Sequence, residues 1–256
     1  MLAHRKLPRR AVVCRLGAAL ACCHLLIGHA APAATPVAVQ LVLAVDVSGS
    51  VNQARFELQR EGYAAAFRSP AVLHAIQSTA TRSIAVAMLQ WTGPALHAVA
   101  VDWTVIDDAG SAERFAAAIE QAPRALFSGG TSIAGAIDYA LAMFPRSPFQ
   151  AARHVIDVSG DGANNRGRAV EAARDAAVRA GTVINGLPIL TLDPELDDYY
   201  RHSVIGGPGA FVIAVQSYDA FASAIQSKLV TEIAGGARII ARGGSRFTVM
   251  AGEGPP

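Results

Sequence analysis

The sequence predicts an α/β fold: a doubly wound, mostly parallel six-stranded sheet with one antiparallel edge strand and helices on both faces. Three observations predict it. Apolar runs alternate with longer amphipathic segments, as when strands covered on both faces are joined by helical crossovers. One pair of runs is separated by little more than "TGP", too short for a parallel crossover, so that pair is antiparallel and lies at an edge. The chain has 256 residues, 52% hydrophobic and 16% charged, enough to enclose one sizeable core.

The elements follow in order. Val39 to Val45 is nearly continuous apolar sequence and reads as the first strand. Residues 53 to 68 place Phe56, Tyr63 and Phe67 at helical spacing. Ser83 to Trp91 and Leu96 to Trp103 are the strands on either side of the short turn. Ser111 to Gln121 reads as a helix capped by Ser111, with Phe115 and Ile119 inward. The loop "RALFSGGTS" leads into a helix over Ile133 to Phe144. A five-residue strand, His154 to Val158, precedes "SGDGANNRG" and an alanine-rich helix over Arg168 to Ala180. Val183 to Leu190 is a strand interrupted by Asn185 and Gly186. A short helical turn over Pro194 to His202, a sixth strand over Ala210 to Val215 and a helix over Tyr218 to Ile233 complete the pattern.

Charge and cysteine placement divide the chain. Residues 1 to 33 hold Arg5, Lys6, Arg9, Arg10 and Arg15 and no acidic residue. "HRKLPRR" precedes the apolar stretch "LGAALACCHLLIGHA" and the small residues of "APAAT", the order of an export signal cleaved near residues 30 to 34. The apolar run is too short for a full membrane span. A lipidated Cys23 would want a small residue before it, where Cys22 stands. The expected organisation is a signal over 1–33, one domain over 34–235, and a tail or added edge strand over 236–256. A periplasmic or secreted location follows. Without the signal, 17 basic residues face 20 acidic ones, so nucleic acid is not an implied partner. Cys14, Cys22 and Cys23 all lie in the signal, leaving no disulfide, thiolate nucleophile or cysteine metal ligand after cleavage.

In such sheets ligands sit beyond the carboxyl ends of the strands, where strand order reverses. Three polar loops are predicted there. "DVSGS" carries Asp46, Ser48 and Ser50; "GGTS" carries Thr131; "SGDG" carries Asp161. Two carboxylates and three hydroxyls suit a hard divalent cation. The competing reading is that Ser50 and Thr131 cap helices and Asp161 is a turn residue. It explains each residue singly but not the set.

These residues resemble the von Willebrand factor type A domain family. Asp46, Ser48 and Ser50 match its D-x-S-x-S signature, and Thr131 and Asp161 match the later threonine and aspartate of its metal-ion-dependent adhesion site, or MIDAS. The β/α order agrees over roughly residues 38 to 235. "SGDGANNRG" and the N-terminal signal are similar to a bacterial exported group known as domain of unknown function 1194. The resemblance implies a magnesium site, with manganese or calcium as alternatives. Ser48 and Ser50 would be direct ligands, Asp46 would stand near the ion, Thr131 would be direct or water-mediated, and Asp161 would act through water. It also implies a protein partner whose Asp or Glu completes the metal shell. From their position just past Asp161, Asn164, Asn165 and Arg166 would shape the rim, with Arg166 either pairing with an acidic partner or solvated, and Asn165 alternatively satisfying loop amides through an Asx-turn.

An enzyme is the main rival. An aspartyl phosphotransferase wants a second carboxylate two residues after Asp46, where Ser48 stands. Ser48 lies outside any G-x-S-x-G, and no nucleotide-binding glycine motif is present. His74, His97, His154 and His202 form no obvious site, and a catalytic zinc would want more His or carboxylate ligands. "DPELDD" lacks EF-hand spacing. The residues favour a metal-dependent binding module over a hydrolase or phosphotransferase using the same site; a purely structural ion is the remaining alternative.

Overall fold

A computed structural model describes residues 34–235 and 250–251. The expected export signal lies outside the described residues. Chain order is β1 (Thr35–Pro36), β2 (Gln40–Asp46), α1 (Gln53–Arg68), α2 (Pro70–Gln77), β3 (Ile84–Trp91), β4 (His97–Ile106), α3 (Ala109–Gln121), α4 (Ile133–Met143), β5 (Phe149–Gln150) and β6 (His154–Gly160). Then come α5 (Val170–Arg179), β7 (Thr182–Pro188), α6 (Leu196–Tyr199), β8 (Phe211–Val212), α7 (Phe221–Ile233) and β9 (Met250–Ala251).

The main sheet runs β4-β3-β2-β6-β7-β8-β9. Strands β3, β2, β6, β7 and β8 are parallel, and β4 is antiparallel to β3. These are the six predicted strands. Met250–Ala251 adds a seventh, antiparallel to β8. The chain leaves β2 toward β3 and β4, then returns to place β6 on the other side of β2. Strand order therefore reverses between β2 and β6.

Alternation along the strands divides the core. Leu41, Leu43 and Val45 of β2 pack with α1, α2, α3 and α7, while Val42 and Ala44 pack with α4, α5 and α6. All seven residues of β2 are buried, which explains its unbroken apolar run. No helix among the described residues is long and apolar enough to cross a membrane.

Several boundaries differ from the sequence reading, each for a local reason. Ser111 does not cap α3. Asp108 is the cap, accepting the Ser111 amide at 2.6 Å, and the Ser111 hydroxyl bonds back to the cap in a reciprocal box. Helix α2 was not predicted, although Ser69 caps it and Pro70 opens it. The sixth strand is only Phe211–Val212, because the contacts that follow are scattered: Ile213 N–H bonds Gly186 O, and Val215 forms an isolated bridge with bonds to Pro188 O and Leu190 N–H. The turn after α6 widens into one π-helical turn, Tyr200–Val204.

Helix α1 meets α7 closely at Gly62. A Cβ there would lie 2.7 Å from Phe221 Cδ1 and 3.2 Å from the Ala222 backbone. Alanine gains about 0.5–1 kcal/mol in helix propensity. Crowding a packed helix pair costs about 1–3 kcal/mol. Gly62→Ala is therefore expected to destabilise the fold, read as a lower urea midpoint at an unchanged slope; a higher midpoint would mean that α1 and α7 separate at little cost.

Candidate metal centre

Strand β2 delivers Asp46 to the reversal point with no exposed surface. Asp46 Oδ1 accepts the Ser48 amide at 2.7 Å. Ser48 Oγ lies 3.2 Å from Ser50 Oγ, and Ser50 Oγ donates to Asp161 Oδ1 at 2.6 Å. Asp161 Oδ2 accepts the Tyr218 hydroxyl at 2.9 Å and the Arg55 guanidinium at 3.3 Å. The first and third predicted loops are thus joined by direct hydrogen bonds.

Thr131 arrives from the second loop. Its hydroxyl is 3.8 Å from the Cβ position at Gly162, the residue after Asp161. Asn165 grips its backbone twice: Oδ1 accepts the Thr131 amide at 2.9 Å, and the Asn165 amide donates to the Thr131 carbonyl at 2.9 Å. Asn164 Oδ1 accepts the Ala134 amide at 3.1 Å. Both asparagines therefore clamp the loop before α4 rather than face a partner. Gly130 has φ of +81°, and a side chain there would collide with Arg166 Cγ, so this turn needs glycine.

The capping reading fails on geometry. Helix α1 is capped by Asn52, which accepts the Arg55 amide at 2.9 Å, not by Ser50. Helix α4 is capped by Ser132, which accepts the Gly135 amide at 3.2 Å, not by Thr131. Asp161 binds side chains of two distant segments rather than its own turn. The hydroxyls of Ser50 and Thr131 are left free of helix-end duty.

Other contributors had no local sequence signal. Tyr218 lies 57 residues from Asp161. Arg124 donates to the carbonyls of Val47 and Ser48 at 3.0 and 3.2 Å, bracing the first loop from outside. Gly160 permits β6 to lie beside Asp46: a Cβ there would stand 2.9 Å from Asp46 Oδ2 and 3.1 Å from the Tyr200 hydroxyl.

Asp46 Oδ2 is buried and has no hydrogen-bond partner among the described residues. Burial pushes the Asp46 carboxyl up to about 7, opposed by the Ser48 amide and reinforced by the nearby Asp161 charge. Burial, with Asp161 next, also raises Tyr218, which keeps its hydroxyl a donor. An orphaned carboxylate oxygen within a group of two carboxylates and three hydroxyls fits a hard divalent cation. The described residues hold no cluster of three or more His, Cys, Asp or Glu, so the donor set is hydroxyl-rich.

Comparison with known proteins agrees with this architecture. A family model described as a protein of unknown function, DUF1194, matches residues 36–237. No curated protein matches the chain. Proximal thread matrix protein 1 from the mussel byssus, with a zinc-occupied MIDAS motif, is 18% identical at a TM-score of 0.54, covering 76% of this chain and 45% of that one. A von Willebrand factor type A protein from Catenulispora acidiphila is 16% identical at 0.51, covering 77% and 43%. The pilus adhesin SpaC from Lactobacillus rhamnosus GG is 15% identical at 0.54, covering 77% and 31%. The chain spans less than half the length of each. At these identities the likeness is one of fold, the von Willebrand factor type A fold that the sequence resemblance implies.

The raised Asp46 carboxyl has a definite sign in stability. Between about 4 and 7 the folded state binds the extra proton, so stability falls as pH rises through that window. Above it, the ionised group costs on the order of 4 kcal/mol. With chelator present, Asp46→Asn is expected to raise the melting temperature at pH 8, with the gain fading toward pH 4. Equal melting curves at pH 8 would show that Asp46 ionises without penalty.

Proposed function

The chain belongs to the DUF1194 family of proteins of unknown function, and from that premise we propose that it is an exported, divalent-cation-dependent protein-binding module. The carrying observation is the buried, unpartnered Asp46 Oδ2 among oxygen donors at the point of strand reversal. Asp46, Ser48, Ser50, Thr131 and Asp161 hold the ion, magnesium in the first instance, with manganese or calcium able to substitute. When bound, the ion supplies positive charge that draws in an Asp or Glu of a protein partner to complete its shell.

The chain's own residues set the terms of that contact. Arg55, on Ser50 O at 2.8 Å and Asp161 Oδ2 at 3.3 Å, offsets part of the carboxylate charge. Tyr218 and Asn165 orient Asp161 and Thr131, so little rearrangement remains to be made on binding. Leu96, Val99, Phe127 and Leu192 are the large apolar side chains exposed among the described residues. They lie on segments at or near the same carboxyl edge, which supports a macromolecular partner. The signal over residues 1–33 supports a periplasmic or secreted setting.

Calorimetric titration of the full chain with magnesium and with manganese tests the site. Saturable binding is expected, lost in Asp46→Ala and in Ser48→Ala with the circular dichroism unchanged. Equal binding by wild type and Asp46→Ala would remove the ion from this site. Asn165→Ala touches no proposed ligand oxygen, yet removes the side-chain acceptor of the Thr131 amide, and is expected to weaken the ion about 10–100-fold. An unchanged affinity in that variant would take Thr131 out of the shell.

A further inference from the structure

A second buried polar cluster lies between α7 and the sheet, apart from the candidate metal centre. Lys228 and Asp157 have no exposed side-chain surface, and Glu232 has almost none. Lys228 Nζ is 2.6 Å from Asp157 Oδ1 and 2.5 Å from Glu232 Oε1. The Glu232 contact is a hydrogen bond, whereas neither oxygen of Asp157 is engaged in one. The amine thus reaches the Asp157 carboxyl without hydrogen-bond alignment. Asn185 holds Glu232 in place, donating to Oε1 at 2.9 Å while its own Oδ1 accepts the Phe211 amide at 3.1 Å. Glu232 Oε2 is buried and has no hydrogen-bond partner among the described residues. The Phe211 ring walls the amine, 5.4 Å from Nζ.

We propose that Lys228 and Asp157 are joined by an intramolecular amide bond, Nζ to Cγ, formed by the chain itself with Glu232 as the proton carrier. The balance is closed. Glu232 takes a proton from the Lys228 ammonium and passes it to the Asp157 carboxylate, and the freed amine attacks Cγ of the resulting carboxylic acid. The hydroxyl of that acid leaves with a second Nζ proton as water. The nitrogen keeps one hydrogen, Glu232 returns to its starting state, and no oxidant or further reactant is needed.

Three features favour this condensation. As ions, one ammonium and two carboxylates place three charges in a low-dielectric interior, each costly to desolvate. Forming the amide removes two of them and leaves the Glu232 carboxylate on the Asn185 amide. Burial, reinforced by Glu232 and opposed by Lys228, raises the Asp157 carboxyl, which favours its taking up the proton that Glu232 delivers. The site is also closed to bulk solvent, with no exposed side-chain surface on Lys228 or Asp157, which disfavours the reverse hydrolysis. The bond would staple β6, whose end carries Asp161, to α7. A disulfide cannot do this, because every cysteine lies at or before Cys23.

Peptide mass mapping of the purified full chain decides the matter. Trypsin is expected to release His154–Arg166 covalently attached to the segment containing Lys228, the pair one water lighter than the sum of its parts, with no cleavage after Lys228. Fragmentation must place the junction at Asp157, because Asp161-Gly162 in the same peptide can also lose water as a cyclic imide. Separate peptides at full sequence mass, with cleavage after Lys228, would overturn the proposal and leave an ionic cluster. Glu232→Gln keeps the shape of the cluster and is expected to yield unlinked peptides with unchanged circular dichroism. A link that persists in that variant would overturn the role given to Glu232.

Discussion

A carboxylate buried at the end of the central strand is the constraint on which the carboxyl edge depends. Asp46 has one oxygen held by the Ser48 amide and another with no partner among the described residues. An ionised group in that position is costly unless positive charge is brought to it. The surrounding chain does not relieve the cost with a direct partner for that oxygen. It instead brings oxygen donors close and places its arginines one step away: Arg55 on Asp161 and Ser50, and Arg124 on the loop carbonyls. A fold tuned only for stability would place an apolar residue or a direct ion pair there.

The same strand organises both polar clusters. Along β6, Asp157 points toward α7, Ser159 accepts the Tyr63 hydroxyl at 3.2 Å, and Asp161 follows at the strand end. Alternate residues of a strand face the same side, so these three positions share one face of the sheet. Val158 and Ile156 point to the other, into the core under α4 and α5. The helix before which Tyr218 stands, α7, therefore touches the sheet in two ways. The short turn that enters it reaches Asp161 through Tyr218, and its own later turns carry Lys228 and Glu232. How firmly α7 is held bears directly on how firmly Asp161 is held.

Much of this was legible in the sequence because it is local. Continuous apolar runs marked the inner strands, and helix α1 ends where its pattern ends, at Gln53 and Arg68. "DVSGS", "GGTS" and "SGDG" were legible as polar loops because glycine and short hydroxyl residues interrupt apolar strands. Ser111 was misplaced because serine suits both the cap and the third position of a capping box, and only the hydrogen bonds separate the two. Helix α2 was missed because its eight residues are too few to show a clear period, although Ser69-Pro70 was a readable start.

By itself the sequence determined the fold class, the order of the strands and of every helix but α2, and the residue types at each strand end, since these follow from periodicity and turn chemistry along neighbouring residues. Tertiary structure alone decided which residues meet. It assigned the caps to Asn52 and Ser132, turned Asn165 onto Thr131, carried Tyr218 to Asp161, and enclosed Lys228 between Asp157 and Glu232. The reason is physical. Side chains separated by tens of residues leave no periodic trace of one another, and only packing of helices against a common sheet brings them within hydrogen-bonding distance.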